Sequence, residues 1–222
     1  LRVADSLLMM GDLFGYLLSG KKACEYTNAS TTQLLDPFTR NWSEDLIARL
    51  GLPRNLLQAP VAPGTVLGPL RADIAAATGI TPGVPVIATA THDTASAVAA
   101  VPVSPDSPPW AYLSSGTWSL LGAELDAPVV NEQSLALDFT NEGGVGGKIR
   151  FLKNIFGLWL VQECRRAWDR AGETADYATL TAEAAALEVD LFSAVRGEPQ
   201  CSNDELRQRA NSLVLRSTQS AL

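Results

Sequence analysis

The first half of the chain alternates helical patterns with short β-type patterns. Apolar residues recur at helical spacing through residues 1–19, and Gly20 follows in the position of a helix C-cap. Ser43 precedes a short helical pattern as an N-cap residue. Residues 58–70, rich in Pro and Gly, predict short paired strands, and residues 71–79 predict another short helix.

A β-branched apolar run at residues 86–90 changes the pattern and predicts a buried strand. It ends at Thr91-His92-Asp93-Thr94, after which residues 95–100 predict a compact helix. The sequence therefore predicts a carboxylate at the end of a strand and the start of a helix.

The second half contains two strand patterns and one long helical pattern. Residues 110–113 and 118–122 predict a hairpin around the turn Ser114-Ser115-Gly116-Thr117, and an amphipathic pattern predicts a helix from about Asn154 to Ala171. Mixed strands and helices indicate an α/β fold, and a boundary near residues 80–86 divides it into two domains.

The charge balance is acidic, with 24 acidic residues against 17 basic ones and a formal net charge of −7. This balance favours solubility and does not predict a basic nucleic-acid face, so no nucleic-acid partner is expected. Hydrophobic residues make up 46% of the chain, which is enough for a substantial core.

The three cysteines, Cys24, Cys164 and Cys201, are widely spaced and form no Cys-x-x-Cys pair. This spacing disfavours a disulfide framework or a zinc site and favours reduced thiols, so a cytoplasmic protein is expected. The sequence contains neither a signal-peptide pattern nor an apolar run of membrane-spanning length, and no membrane association is expected.

Asp93 is the candidate for proton transfer because ligands of open α/β sheets bind beyond the carboxyl ends of strands. Its alternative role is the N-cap of a helix that begins at Ala95, and both roles are compatible with one carboxylate. His92 is the single histidine of the chain. A Ser-His-Asp triad would have to use it with the adjacent Asp93, which is badly placed to orient it, and a His-based metal site lacks ligands, so no metal ligand is predicted.

Three further side chains are candidates for ligand contact. The turn that contains Thr117 could present hydroxyls and backbone N–H groups to phosphate, although such turns are common in hairpins. Asn154 and Gln162, eight residues apart, are predicted to lie about 12 Å apart on one helix face. Surface amides are the alternative for both. A phosphate-binding P-loop is excluded because Ile149 follows Gly147-Lys148.

Four segments together resemble the FGGY family of carbohydrate kinases. They are Tyr26–Leu34, Thr91–Ala97, Ala111–Leu120 and the stretch from Thr140 to Gln162 that includes Lys153-Asn154-Ile155. The resemblance covers about residues 5–170 in the family's order. Its Ser-Ser-Gly-Thr-Trp and Lys-Asn-Ile patterns favour the branch that phosphorylates rhamnulose over its glycerol, xylulose and gluconate relatives.

The resemblance implies a role for each candidate residue. Asp93 corresponds to the general base, which takes the proton of the sugar hydroxyl as that oxygen attacks the γ-phosphorus of ATP. His92, Thr94 and Asn154 correspond to sugar-binding residues together with Asp93, whereas Thr117 and Gln162 correspond to ATP-contacting residues. ATP and Mg²⁺ are the implied cofactors, with a small-molecule sugar as the substrate.

The resemblance also implies the actin-like ATPase (ribonuclease H-like) fold, an α/β architecture of two domains. Residues 1–85 would be the C-terminal part of the first domain and residues 86–191 the N-terminal part of the second, with a divergent tail over residues 192–222. The product would be rhamnulose 1-phosphate, formed in rhamnose breakdown.

Some features depart from the family. Its N-terminal Asp-x-Gly phosphate-binding hairpin and its C-terminal glycine-rich adenosine motif are absent, so we expect an internal fragment that does not turn over ATP by itself. Detectable rhamnulose phosphorylation by the purified 222-residue chain would contradict this expectation. Another FGGY sugar kinase, acting on fuculose, xylulose or glycerol, and a non-catalytic sugar- or nucleotide-binding module are the alternatives.

Overall fold

The computed structural model of the chain describes residues 3–104 and 107–186. The predicted tail, 192–222, lies outside the described residues. Within them the helices are Met10–Ser19 (α1), Tyr26–Ala29 (α2), Glu44–Arg49 (α3), Ala72–Thr78 (α4), Asp93–Ala99 (α5), Glu132–Ala136 (α6), Trp159–Ala171 (α7) and Tyr177–Ala186 (α8). The strands are Cys24–Glu25 (β1), Leu35–Asp36 (β2), Asn41–Trp42 (β3), Pro60–Val61 (β4), Thr65–Pro69 (β5), Pro85–Ala88 (β6), Tyr112–Ser114 (β7), Trp118–Leu125 (β8), Thr140–Gly143 (β9) and Ile149–Phe156 (β10).

The described residues form two compact units. The first contains the described residues up to Ser114 together with Ser119–Ile155, and the second contains Ser115–Trp118 together with the described residues from Phe156 onward. Within the described residues, no helix is both long and apolar enough to cross a membrane.

The strands form one four-stranded sheet and three two-stranded ones. The larger sheet has the order β7-β8-β10-β9, with β7 antiparallel to β8 and β9 antiparallel to β10. The predicted hairpin is confirmed, since Tyr112 pairs with Gly122 and Ser114 pairs with Leu120. The smaller sheets pair β1 with β4 in parallel, β2 with β3 and β5 with β6.

The two strands within residues 58–70 are confirmed, but they do not pair with each other. Instead, β4 pairs with β1, and β5 pairs with β6. Both partner strands lie outside residues 58–70. The prediction that residues 86–90 form a buried strand is wrong in two respects: β6 covers Pro85–Ala88, and Ile87 is 48% exposed. Among the residues that the structure describes, β5 is the one strand paired with β6, so the apolar side chains of β6 are incompletely covered.

Local helix signals were accurate at Ser43 and Gly20, and Gly79 ends a further helix. The Ser43 hydroxyl accepts the Leu46 N–H at the start of α3, and Gly79 takes a left-handed conformation after α4, with φ of 72°. Gly20 ends α1 in the same way. The predicted helix over residues 1–19 nevertheless begins only at Met10, because the Leu7 N–H is bonded to the Leu56 carbonyl at 2.8 Å.

The core of the first unit has two apolar clusters. One contains Cys24, Ala29, Trp42, Ile47 and Leu57, and the other contains Ala23, Leu67 and Ala88. Both clusters adjoin β1 or its flank, and so the short segment Cys24–Glu25 is held firmly in the interior.

Candidate active site

Asp93 lies at the start of α5, just beyond the end of β6. Its side chain is 98% exposed, whereas the neighbouring residues Ala90 and Ala95 are buried. The carboxylate Oδ1 accepts the Thr94 N–H at 2.6 Å and the Thr94 hydroxyl at 3.3 Å. The first unit therefore presents an accessible carboxylate from a fixed backbone position.

The alternative that Asp93 caps a helix beginning at Ala95 is wrong. The helix begins two residues earlier, at Asp93 itself, and His92 occupies the capping position without a side-chain capping bond. An acidic residue is favourable in the first helical turn because the helix N-terminus is electropositive. The Asp93 carboxylate is thus not committed to capping the helix backbone beyond Thr94.

His92 is half-buried, and burial lowers the pKa of its imidazole, with the Arg150 charge acting in the same direction. The ring is therefore neutral at pH 7 and can both donate and accept hydrogen bonds. Its Nδ1 is buried without a hydrogen-bond partner among the described residues and lies 4.0 Å from Asp93 Oδ1. A neutral imidazole beside a carboxylate suits hydrogen bonding to a sugar hydroxyl.

Asn154 is exposed on β10, and the prediction of a helix from about Asn154 is wrong. The segment Ile149–Phe156 is a strand and α7 begins at Trp159, with Gly157 and Leu158 between them. Asn154 and Gln162 therefore do not share a helix face, and they belong to different compact units.

Thr117 and Gln162 lie together in the second unit. The Gln162 amide Nε2 donates to the Thr117 hydroxyl at 3.3 Å, and both side chains are accessible. The turn is joined to the start of α7 through its carbonyls: the Leu158 N–H bonds the Gly116 oxygen at 2.9 Å and the Trp159 N–H bonds the Thr117 oxygen at 3.0 Å. The two residues predicted to contact ATP are therefore neighbours.

Aromatic rings support the same turn. Trp118 and Trp159 stack with ring centroids 6.0 Å apart, and Phe156 lies 5.6 Å from each of them. Trp118 is still 58% exposed, so this cluster remains a surface feature of the second unit.

Four buried charged residues in the described part of the chain were missed by the sequence analysis. Arg150 is fully buried and donates to Glu142 Oε2 at 2.8 Å, and the buried Asp12 Oδ1 accepts the backbone N–H of the buried Glu25 at 2.9 Å. A run such as Ala23-Cys24-Glu25-Tyr26 does place a charged residue among apolar ones. Only that interruption could have drawn attention to Glu25.

A metal site is a separate question from these acidic residues. Among the residues that the structure describes, no group of three or more His, Cys, Asp or Glu side chains is arranged to hold a metal ion.

Two family models match the chain in succession. The N-terminal domain of the FGGY family of carbohydrate kinases matches residues 1–100, and its C-terminal domain matches residues 111–203. The chain belongs to the FGGY family of carbohydrate kinases, as the sequence analysis predicted.

Seven curated relatives that are 44–52% identical to the chain are named rhamnulokinase. The chain is 47% identical over 188 residues to the rhamnulokinase of Bacteroides thetaiotaomicron, which is 85% of this chain and 37% of that protein. It is 46% identical over 177 residues to the rhamnulokinase of Oceanobacillus iheyensis, which is 80% of this chain and 37% of that protein. The chain thus spans about a third of the length of these relatives.

Solved structures show the same fold. A xylulose kinase from Lactobacillus acidophilus superposes with a TM-score of 0.63 at 19% identity, over 77% of this chain and 34% of that one. A xyloylose kinase from Brucella ovis gives 0.66 at 23% identity, over 83% of this chain and 36% of that one. The prediction of an α/β chain with the actin-like fold of these kinases is confirmed.

Proposed function

We propose that this chain supplies the catalytic base and part of the nucleotide site of an ATP-dependent kinase that converts L-rhamnulose to L-rhamnulose 1-phosphate. The observation that carries the proposal is the exposed Asp93 carboxylate at the start of α5, beside the neutral His92. The rhamnulokinases at 46% and 47% identity support the choice of sugar.

In the proposed reaction, Asp93 accepts the proton of the sugar hydroxyl while that oxygen forms a bond to the γ-phosphorus of ATP. The bond between the γ-phosphorus and the bridging oxygen breaks, and ADP leaves with the electron pair. Phosphoryl transfer depends mostly on positioning, and a carboxylate within reach of the attacking hydroxyl orients it.

The other predicted residues have supporting roles in this proposal. His92, Thr94 and Asn154 would hydrogen-bond the sugar, and Thr117 with Gln162 would contact ATP. Mg²⁺ would neutralise the phosphate oxygens when it is bound with ATP. Residues 1–85 and 86–191 would belong to the first and second kinase domains. The protein would act in the cytoplasm on small molecules alone.

A chimera tests the proposal with this chain's own residues. The matching 188-residue segment replaces its counterpart in the rhamnulokinase of Bacteroides thetaiotaomicron, and ADP release is measured with rhamnulose, fuculose, xylulose and glycerol. Rhamnulose is expected to be the preferred substrate. Preference for another sugar in the panel would overturn the choice of substrate.

Asp93→Asn in this chimera is expected to lower kcat by about 100- to 10,000-fold, because general-base catalysis typically contributes that much. Asp126→Asn is the matched control: it makes the same chemical change at a carboxylate that is 88% exposed and paired with Lys148. It should leave kcat within about twofold, as a weak surface ion pair allows. Unchanged turnover in Asp93→Asn would show that Asp93 is not the general base. Lost turnover with retained binding of sugar and ATP would exclude a purely binding module.

A further inference from the structure

Glu25 is a fully buried carboxylate at the end of β1, where it caps α2. Its Oε1 accepts the Thr27 N–H at 2.8 Å, and its Oε2 accepts the Thr27 hydroxyl at 2.5 Å and the Asn28 N–H at 3.2 Å. The two bonds to the Thr27 and Asn28 N–H groups are what a capping residue provides, because the first N–H groups of a helix lack partners within the helix.

Two further bonds of Glu25 are not explained by capping. Its Oε2 also accepts the Thr91 N–H and the Thr91 hydroxyl, both at 3.0 Å, across 66 residues of chain. The Thr27 hydroxyl, itself bonded to Glu25, accepts the His92 N–H at 3.4 Å. These bonds are buried, and a buried polar group that loses its partner is costly, so this contact holds the backbone immediately before Asp93.

Helix α1 confines Thr91 from another side. A Cβ atom at Gly11 would lie 2.6 Å from the Thr91 Cβ, which shows that the helix backbone approaches this side chain closely. Thr91 thus sits between the Gly11 backbone and the Glu25 carboxylate. Glu25 has no exposed surface, so its carboxylate is not accessible to a ligand.

We propose that Glu25 is a positioning residue that fixes the backbone of Thr91 and His92 and thereby sets the position from which Asp93 takes the proton. This inference rests on the proposed function for the identity of Asp93 as the base. The anchoring of Thr91 by Glu25 does not depend on that identity, and the two can be tested separately.

The first test uses the full 222-residue chain and measures hydrogen exchange of backbone amides by NMR. In Glu25→Gln, a neutral amide group faces the Thr91 donors, and we expect the Thr91 amide to exchange at least about tenfold faster, since local opening sets exchange rates. His92 is the single histidine, so its imidazole signals report on the same loop without ambiguity and should shift. Glu44→Gln, at an exposed ion pair with Arg54, is the control and should change neither.

A second pair of variants covers the outcome in which Glu25→Gln does not fold. Thr91→Val removes only the hydroxyl bond to Glu25, whereas Thr91→Ser keeps it. We expect Thr91→Val to shift the His92 imidazole and amide signals and Thr91→Ser to restore them. Identical His92 signals in Thr91→Val and wild type, or in folded Glu25→Gln and wild type, would overturn the anchoring.

The kinetic test uses the chimera described above. Glu25→Gln should lower kcat by about 100-fold with the KM for rhamnulose within about threefold, because small displacements of a catalytic group cost rate more than binding. If the NMR experiment shows a released loop while kcat per folded molecule is unchanged, the positioning role is wrong. If Asp93→Asn keeps full turnover, the proposed function fails while the anchoring of Thr91 stands.

Discussion

The segment Thr91–Thr94, called the loop here although α5 begins within it, and the turn Ser114–Thr117 carry the two parts of the proposed chemistry and are held in opposite ways. The loop is bound by the buried Glu25 carboxylate, which reaches it from a distant part of the chain. The turn is bound by its own backbone carbonyls to the adjacent start of α7, and its Thr117 side chain stays exposed. One element is fixed from the interior and the other from the surface.

This difference corresponds to what each element must do in the proposed reaction. A base has to lie within hydrogen-bond reach of one particular hydroxyl, and a misplacement of about 1 Å can cost 100-fold in rate. Contacts to a nucleotide are distributed over several groups, so each can vary at a smaller cost. The comparison predicts large effects of substitutions around the loop and small effects around the turn.

The largest effect expected concerns Asp12, the buried carboxyl whose Oδ1 accepts the Glu25 N–H at 2.9 Å. Burial raises its pKa from 3.8 to about 6, and the nearby Glu25 carboxylate acts in the same direction. The folded state therefore holds this proton more tightly than the unfolded state. Its contribution to stability is fully present below pH 3.8 and is lost as the pH rises through 6.

The shift from 3.8 to about 6 corresponds to about 3 kcal/mol in total, at 1.36 kcal/mol per pKa unit. Between pH 5 and 8, the free energy of unfolding of the 222-residue chain should fall by about 1.5 kcal/mol relative to that of Asp12→Asn. Urea unfolding of both proteins at each pH measures this difference. His92 contributes equally to both, so its opposite pH dependence cancels, and a constant difference would show that Asp12 is not titrating.

The next effect separates two glycines of α1. Gly11→Ala should destabilise the 222-residue chain by about 1 kcal/mol. A Cβ would lie 2.6 Å from the Thr91 Cβ and overpacking costs about 2 kcal/mol, of which the higher helix propensity of alanine offsets about 1 kcal/mol. Gly15→Ala is the matched control on the same helix, where the Cβ would meet only the flexible Cδ1 of Leu67, at 2.9 Å. Thermal unfolding should show a loss for Gly11→Ala and little change for Gly15→Ala, since alanine favours the helix. Equal losses of stability in the two variants would mean that the close approach of Gly11 to Thr91 does not determine the cost.

The sequence predicted the loop and the turn better than it predicted what holds them. Asp93 was found because an apolar β-type run ends beside it, and Thr117 because its turn joins two paired strands. The N-cap alternative was wrong because an aspartate is equally favourable at the first helical position. Asn154 was placed on a helix because the strand that contains it directly precedes α7, with only Gly157 and Leu158 between them.

The contact that Glu25 makes with Thr91 could not have been predicted from the local sequence pattern. Its bonds to Thr91 cross 66 residues, and their existence depends on how β1, α1 and the end of β6 pack. The same holds for Arg150 and Glu142, which look like ordinary charged residues in the sequence and are buried only by the fold. Contacts of this kind come from tertiary structure, which spacing and propensity do not encode.

The smallest effect is expected at the turn. Gln162→Ala removes an exposed hydrogen bond of 3.3 Å to Thr117, so it should change the free energy of unfolding of the 222-residue chain by less than about 0.5 kcal/mol. In the chimera, Gln162→Ala should raise the KM for ATP by about three- to tenfold, because one lost hydrogen bond of about 1 kcal/mol weakens binding by that factor. The kcat should stay within about twofold. Gln133→Ala, at an exposed position on α6, is the control for loss of a surface amide and should leave both quantities unchanged.

The free energy of unfolding and the KM for ATP of Gln162→Ala together test whether the turn is held less firmly than the loop. A stability loss above about 1 kcal/mol in Gln162→Ala would mean that the turn is fixed as firmly as the loop, because surface substitutions normally stay within about 0.5 kcal/mol. An unchanged KM for ATP would instead remove Gln162 from the nucleotide site. A stable protein with weakened ATP binding and intact kcat is the result that a surface-held nucleotide contact predicts, since the interaction is then made equally in the ground state and the transition state.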